Sequence, residues 1–403
     1  MTVPRVAFFS DSFHEMNGVA LTSREFVNFA ARNRHPFFSI HAGPETSDWS
    51  DNTLEFLELA HSRFTLGLER DLSFDLLFYR HRERIRKALT EFRPDVIHVT
   101  GPSHIGMLGA ILAYDLKVPL VSSWHTNIHE YAAQRLAPKL AWLGESRSQA
   151  IAEFAREQSL HWALRFYRLA KILYAPNPEL VAMLSEQTGR PAYLMQRGID
   201  TRLFSPDRRT RTDTDFVIGF VGRLSPEKNV RMLAKLEAGL RDAGVRDCRF
   251  LIVGDGSERL WLMQNLCGAE LPGALSGEIL ATAYANMDAF VFPSETDTFG
   301  NVVLEAMASG VPVVVSNNGG PKFLVDSRKN GYIADSFATF VEAIMDLRSH
   351  PSLRERMSKG ARASALTRSW DSVFEDVYSH YAEVLTGNST QAHRLPGSLV
   401  QVS

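Results

Sequence analysis

Only two cysteines, Cys248 and Cys267, occur in 403 residues. That is too few for a disulfide framework and fits a reducing compartment. Long apolar runs are missing too: none approaches the roughly 18–20 residues of a membrane span, and the start, Met1-Thr2-Val3-Pro4-Arg5, has no apolar export region. Excess charge is absent, with 44 Lys and Arg against 46 Asp and Glu, so bulk charge supplies no footprint for nucleic acid. The chain also lacks Gly-x-x-x-x-Gly-Lys-Ser/Thr, a Gly-x-Gly-x-x-Gly after its first strand, and Gly-x-Ser-x-Gly. ATP hydrolysis, dinucleotide redox chemistry and serine hydrolysis therefore lose their usual support. The expectation is a cytoplasmic protein without nucleic-acid partners, at most peripheral on the inner face of a membrane.

What is present is a regular alternation of short apolar runs with longer periodic segments, the pattern of βα units. Candidate strands in the first half are Val6 to Phe9, Phe38 to Ile40, Val96 to Val99, Leu120 to Ser123 and Leu173 to Ala175. A polar stretch, 204–215, reads as a linker. A second series follows at Val217 to Val221, Phe250 to Val253, Ala289 to Phe292 and Val311 to Val315. The length favours more than one core. The division expected is a first domain over 1–203, a second over 216–369, a last helix over 370–386 and a loose tail over 387–403.

The most informative segment is 292–310, FPSETDTFGNVVLEAMASG. The buried-strand pattern before it stops at Pro293, and a helix is expected to open near Thr298-Phe299-Gly300. This sets Glu295 and Asp297 at the C-terminal end of a strand, beside a helix N-terminus that attracts phosphate. Glu305 comes about two turns later. The pattern Asp297, seven residues, then Glu305-Ala306-Met307-Ala308-Ser309-Gly310 resembles the signature of retaining GT-B glycosyltransferases, the large family 4 that includes bacterial mannosyltransferases and sulfoquinovosyl transferases. Asp297 stands where the family more often has Glu. Further segments resemble the family in the same order: Ser10-Asp11-Ser12-Phe13-His14-Glu15-Met16-Asn17-Gly18-Val19-Ala20, Arg197-Gly198-Ile199-Asp200, Gly222-Arg223 through Lys228-Asn229, Val253-Gly254-Asp255-Gly256 and Gly319-Gly320-Pro321.

The resemblance implies an α/β GT-B fold: two doubly wound Rossmann-like domains facing across a cleft, with the C-terminal helix, from Trp370 through Tyr381, crossing back to the first. It implies a hexose moved with retention from a nucleotide diphosphate sugar to a hydroxyl acceptor. GDP-mannose is favoured by Thr296-Asp297-Thr298-Phe299-Gly300-Asn301, with a UDP-sugar, as in sulfoquinovosyl transfer, the alternative. A GT-B epimerase, a phosphorylase and a non-catalytic sugar-nucleotide sensor are the competing readings. Arg223 and Lys228 are expected to hold the diphosphate, where fixed cations favour a leaving group gaining charge. By resemblance His125 lies near the reacting carbon, Asp297 meets sugar hydroxyls and Glu305 the ribose. Gly18, Asp255, Glu295, Thr298, Phe299, Gly300 and Asn301 complete the donor-binding set.

No cofactor or metal is called for. Asp213-Thr214-Asp215 sits before a strand rather than after one and reads as a solvated turn, while His125 and His129 lack the glutamate and third ligand of a zinc motif. A lipid or glycan is expected as acceptor. Two features suggest contact with an anionic membrane: basic and aromatic residues interleaved over 135–171, and the cluster Arg80, Arg82, Arg84, Arg86 and Lys87. Aromatic core faces with solvated charges explain the same residues.

Overall fold

The computed structural model describes residues 2–15, 17–60, 62, 65–69, 72–75, 78–125 and 145–386. Met16, Thr126, Asn127, His129, Arg135, Lys139, Trp142 and the expected tail at 387–403 lie outside them. Contacts divide the described chain into two compact units: one holds the residues through His125 with 154–196 and 370–386, the other 145–153 with 197–369.

In the first unit an eight-stranded sheet has the order β10-β9-β8-β7-β1-β2-β4-β3. Its strands are β1 (Val6–Ser10), β2 (Phe37–Gly43), β3 (Ser47–Asp51), β4 (Leu54–Ala60), β7 (Val96–Val99), β8 (Leu120–Ser123), β9 (Ile172–Ala175) and β10 (Ala192–Leu194); β5 (Thr65–Glu69) and β6 (Leu72–Asp75) pair as a separate hairpin. Strands β1, β2, β7, β8 and β9 are buried along their whole length, as expected where helices cover both faces of a parallel sheet. Helices α1 (Gly18–Arg32), α2 (Arg82–Phe92), α3 (His104–Leu116), α4 (Glu145–Tyr167, belonging to this unit from Phe154 on) and α5 (Pro178–Thr188) connect them.

The second unit is a parallel six-stranded sheet, β13-β12-β11-β14-β15-β16, with strands β11 (Phe216–Val221), β12 (Cys248–Val253), β13 (Glu270–Gly273), β14 (Ala289–Phe292), β15 (Val313–Ser316) and β16 (Gly331–Ala334). Around it run α6 (Arg231–Asp242), α7 (Arg259–Asn265), α8 (Gly277–Ala285), α9 (Asn301–Ala308), α10 (Phe337–Ser349) and α11 (Pro351–Leu366). Its core gathers Ile218, Phe220, Phe290, Val303, Leu304 and Val313 to Val315. Strand β15 starts two residues later than the apolar run suggests, because the Val311 N–H closes the end of α9 on Ala306 O at 3.0 Å.

The final helix, α12 (Trp370–Thr386), packs on α1: Phe374 stacks on Phe26 with centroids 4.4 Å apart. Tyr381 closes a buried chain in which its hydroxyl meets His98 Nδ1 at 2.5 Å and His98 Nε2 meets Ser123 Oγ at 2.5 Å. Among the described residues no helix is long and apolar enough to cross a membrane.

Candidate active site

Strand order reverses in both sheets. In the second unit the chain leaves β11 toward β12 and β13, then returns to the other side of β11 through β14. Open parallel sheets bind ligands at such switch points, beyond the strand C-termini. The loops concerned are Gly222 to Asn229 and Pro293 to Gly300, which contain most of the residues expected to bind a donor.

These loops touch. Ser294 Oγ and Thr296 Oγ1 each donate to Glu227 O at 3.4 Å, and Asn229 Nδ2 donates to Pro293 O at 3.4 Å. Lys228 Nζ lies 2.6 Å from Asp297 Oδ1 and above the Phe292 ring. Both side chains are mostly buried, at 16% and 18% exposure. Lys228, expected on the diphosphate, and Asp297, expected on the sugar, thus form one ion pair.

Glycines let the backbones close up. A Cβ on Gly320 would lie 1.9 Å from Thr298 O, and the Gly320 N–H donates to Asp297 O at 2.6 Å. A Cβ on Gly254 would lie 1.9 Å from Gly222 O, while Leu224 N–H donates to Asp255 O at 2.9 Å. The turns around Asp297 and Arg223 are therefore clamped by the glycine turns that follow β15 and β12, respectively.

Gly300 has φ 91° and precedes α9 without a side-chain cap among the described residues, which leaves the helix start suited to an anion. Asn301 opens the helix, and Thr298 is partly buried before it. Glu295 is exposed. Phe299 is in the hydrophobic core, so it can meet a donor only through its main chain. Asp255 turns its carboxylate to its neighbour, accepting from Gly256 N–H at 2.8 Å. Arg223 is partly buried after β11. One turn into α9, Glu305 Oε2 accepts from the Tyr284 hydroxyl at 2.8 Å. Burial pushes the Glu305 carboxyl up to about 7, opposed by that hydrogen bond.

In the first unit the switch lies between β1 and β7. Gly18 begins α1, whose Val19 and Ala20 N–H groups are capped by Asn17 Oδ1 at 3.0 and 2.9 Å. His125 is buried just beyond β8, where Trp124 stacks on Tyr167 with centroids 5.0 Å apart. Sequence reasoning assigned no role to Asp11, although it lies in a quoted motif. Its backbone N–H donates to Thr100 Oγ1 at 3.1 Å and its carboxylate accepts from Ser103 Oγ. Burial pushes its carboxyl up to about 7, opposed by a hydrogen bond from the Thr100 side chain to the carboxylate itself. Tyr284 was likewise missed, since only folding brings it to Glu305.

The membrane signals fare differently. Arg80, Arg82, Arg84, Arg86 and Lys87 pair with Asp75, Asp115, Asp48, Glu83 and Glu91, so this cluster is not a field of unpaired cations; local pairing overrides the sequence impression. Phe166 and Tyr167 are core residues, whereas Phe154 and Trp162 are exposed. An apolar groove lined by Ile111, Tyr114, Trp162 and Leu169 borders Leu120. Leu120 begins β8, so the groove lies at the strand end opposite His125. The Asp213-Thr214-Asp215 carboxylates pair with Arg211 and Arg249.

Comparison with known proteins shows the family. Residues 203–364 match the family described as glycosyl transferases group 1, and residues 16–203 match glycosyltransferase family 4. The chain is 34% identical to a GDP-mannose-dependent alpha-mannosyltransferase of Mycobacterium tuberculosis, over 77% of this chain and 78% of that one. It is 29% identical to a sulfoquinovosyl transferase of Arabidopsis thaliana, over 71% of this chain and 56% of the relative. Among solved structures, a sucrose-phosphate synthase from Thermosynechococcus elongatus superimposes with a TM-score of 0.72 at 17% identity, covering 95% of this chain and 99% of the other. That likeness shows the GT-B fold. The chain belongs to the family 4, group 1 glycosyltransferases.

Proposed function

We propose that this glycosyltransferase moves mannose from GDP-mannose, with retention at the anomeric carbon, to a hydroxyl of a lipid or glycan acceptor. The observation that carries the reading is the Lys228–Asp297 pair, 2.6 Å apart where the loops after β11 and β14 meet. A carboxylate placed for sugar hydroxyls would then also aim the ammonium at the diphosphate. Arg223, on the same loop as Lys228, would fork onto phosphate oxygens. As the glycosidic bond breaks, negative charge grows on those oxygens, so the cations stabilise the transition state more than the bound donor.

Below them Glu305 would accept from the ribose hydroxyls while Tyr284 holds its other face. From the first unit, His125 would contact the transferred sugar, and Gly18 would let the main chain come close to the diphosphate. Neither Asp297 nor Glu305 is then spare to form a covalent sugar ester. Front-side substitution follows, in which the departing phosphate oxygen takes the acceptor proton. The cations and helix starts can meet the diphosphate charge without a metal. The higher identity to the mycobacterial mannosyltransferase than to the sulfoquinovosyl transferase favours GDP-mannose over a UDP-sugar. A thermal-shift screen of GDP, UDP and ADP sugars tests the donor, because a ligand bound only by the folded state raises its midpoint. GDP-mannose should give the largest rise. A larger rise with a UDP-sugar would reassign the donor, and none with any nucleotide at millimolar concentration would remove the function.

A further inference from the structure

Three side chains from separate segments of the first unit converge outside the residues assigned above. His14 comes from the loop between β1 and α1, His41 from β2 and Glu58 from β4. One ligand atom from each lies within 4.8 Å of the others. Glu58 Oε2 is the shared point, 2.8 Å from His14 Nε2 and 3.6 Å from His41 Nε2. Ligand atoms around a tetrahedral zinc at about 2.0–2.1 Å stand roughly 3.3 Å apart, close to both separations.

The second observation is His41 itself. Its side chain is 0% exposed, yet Nε2, the atom facing Glu58, has no hydrogen-bond partner among the described residues. A buried polar atom left in this way costs stability unless something is meant to meet it. The rest of the ring is held firmly. Nδ1 lies 3.2 Å from Ser39 Oγ, and Phe13 stacks on the ring with centroids 4.1 Å apart at 15°. Metal-bound imidazoles are oriented by such a bond at the second nitrogen. Glu58 is placed by Gly43, where a Cβ would fall 2.3 Å from the carboxyl carbon. His14, half exposed, leaves a side open to water for a fourth position.

We propose that His14, His41 and Glu58 bind one divalent ion of the zinc class, pinning the loop of His14 to the β2–β4 edge of the sheet. Two imidazoles and one carboxylate suit zinc, cobalt or nickel rather than magnesium or calcium, which prefer all-oxygen shells. His14 is four residues before Gly18 and next to Phe13, whose main-chain oxygen accepts from Arg24 Nη1 at 2.5 Å. An ion here would therefore set the position of the loop that leads into α1. The site does not depend on the donor reading.

The test uses the full, untagged chain, stripped of metal and titrated with zinc alone and with cobalt alone. One equivalent of zinc should bind per chain, with cobalt giving the visible bands of a four-coordinate ion. His14→Gln, at a half-exposed position that does not threaten folding, should lose zinc affinity by more than roughly 100-fold. Ser39→Ala should lose about 10–100-fold, the range for a supporting hydrogen bond. Glu58→Gln should behave like His14→Gln; if it does not fold, the His14 variant decides. Absence of saturable binding by the wild-type chain, or unchanged affinity in His14→Gln, would overturn the proposal.

Discussion

Replacing Glu305 by Gln should strengthen the fold while weakening the enzyme, and the two effects can be read separately. In the folded chain burial lifts the Glu305 carboxyl from its usual 4.5 to about 7. A carboxyl whose pKa is raised by folding holds its proton more tightly in the native state, so its contribution is fully present below the unfolded value of 4.5 and is lost as pH rises through about 7. A gap of about 2.5 at about 1.36 kcal/mol each corresponds to roughly 3 kcal/mol. Glutamine keeps an acceptor for the Tyr284 hydroxyl and never ionises. The stability difference between Glu305→Gln and wild type should therefore be about 1 kcal/mol at pH 5 and grow to about 3 kcal/mol in the variant's favour at pH 8. With a urea slope of about 2 kcal/mol/M, that is a midpoint shift of roughly 1.5 M. Comparing the two proteins at each pH cancels every other titrating group. GDP titrated calorimetrically should meanwhile bind more weakly to the variant, because a carboxylate is the stronger acceptor for ribose hydroxyls. A stability difference that does not change between pH 5 and 8 would refute the buried, raised carboxyl. Unchanged GDP affinity would refute its place at the ribose.

Lys228→Ala and Arg223→Ala should each lower kcat by roughly 10- to 150-fold, the equivalent of one charge-assisted hydrogen bond of about 1.5–3 kcal/mol, measured as initial rates at saturating donor where chemistry limits turnover. Asp297→Ala should remove transfer while leaving the far-ultraviolet spectrum nearly intact; a variant that transfers at the wild-type rate would reduce Asp297 to holding the turn. Glu295→Gln, on an exposed side chain, should change kcat less than twofold if Asp297 alone meets the sugar, whereas a loss of tenfold or more would show that the two acids share it. Gly320→Ala should cost about 1–3 kcal/mol of stability in urea unfolding, because the added carbon would press on Thr298 O.

The sequence makes the elements of the donor side readable because parallel strands buried on both faces must be apolar throughout. Ala289 to Phe292 is such a run, and Pro293 and Gly300 mark where strand ends and helix begins. Strand β3 was not legible for the opposite reason: Ser47–Asp51 is polar and exposed along its length, so it has no apolar stripe. The pairings within the proposed donor site were also hidden. Lys228 and Asp297 are 69 positions apart and Tyr284 and Glu305 are 21 apart; tertiary packing alone joins them. Motif resemblance supplied the residues but not that Lys228 is held by the acid expected on the sugar. His14, His41 and Glu58 escaped for the same reason, since three segments contribute one ligand each and no metal-binding spacing exists in the chain.

Release of nucleoside diphosphate from the sugar nucleotide tests the central claim most directly. Incubated with GDP-mannose and a total lipid and glycan extract, the wild-type chain should release GDP in step with mannose appearing in the acceptor fraction, and Asp297→Ala should suppress both together. GDP-mannose left intact by folded wild-type protein, or release that persists undiminished in Asp297→Ala, would contradict the account.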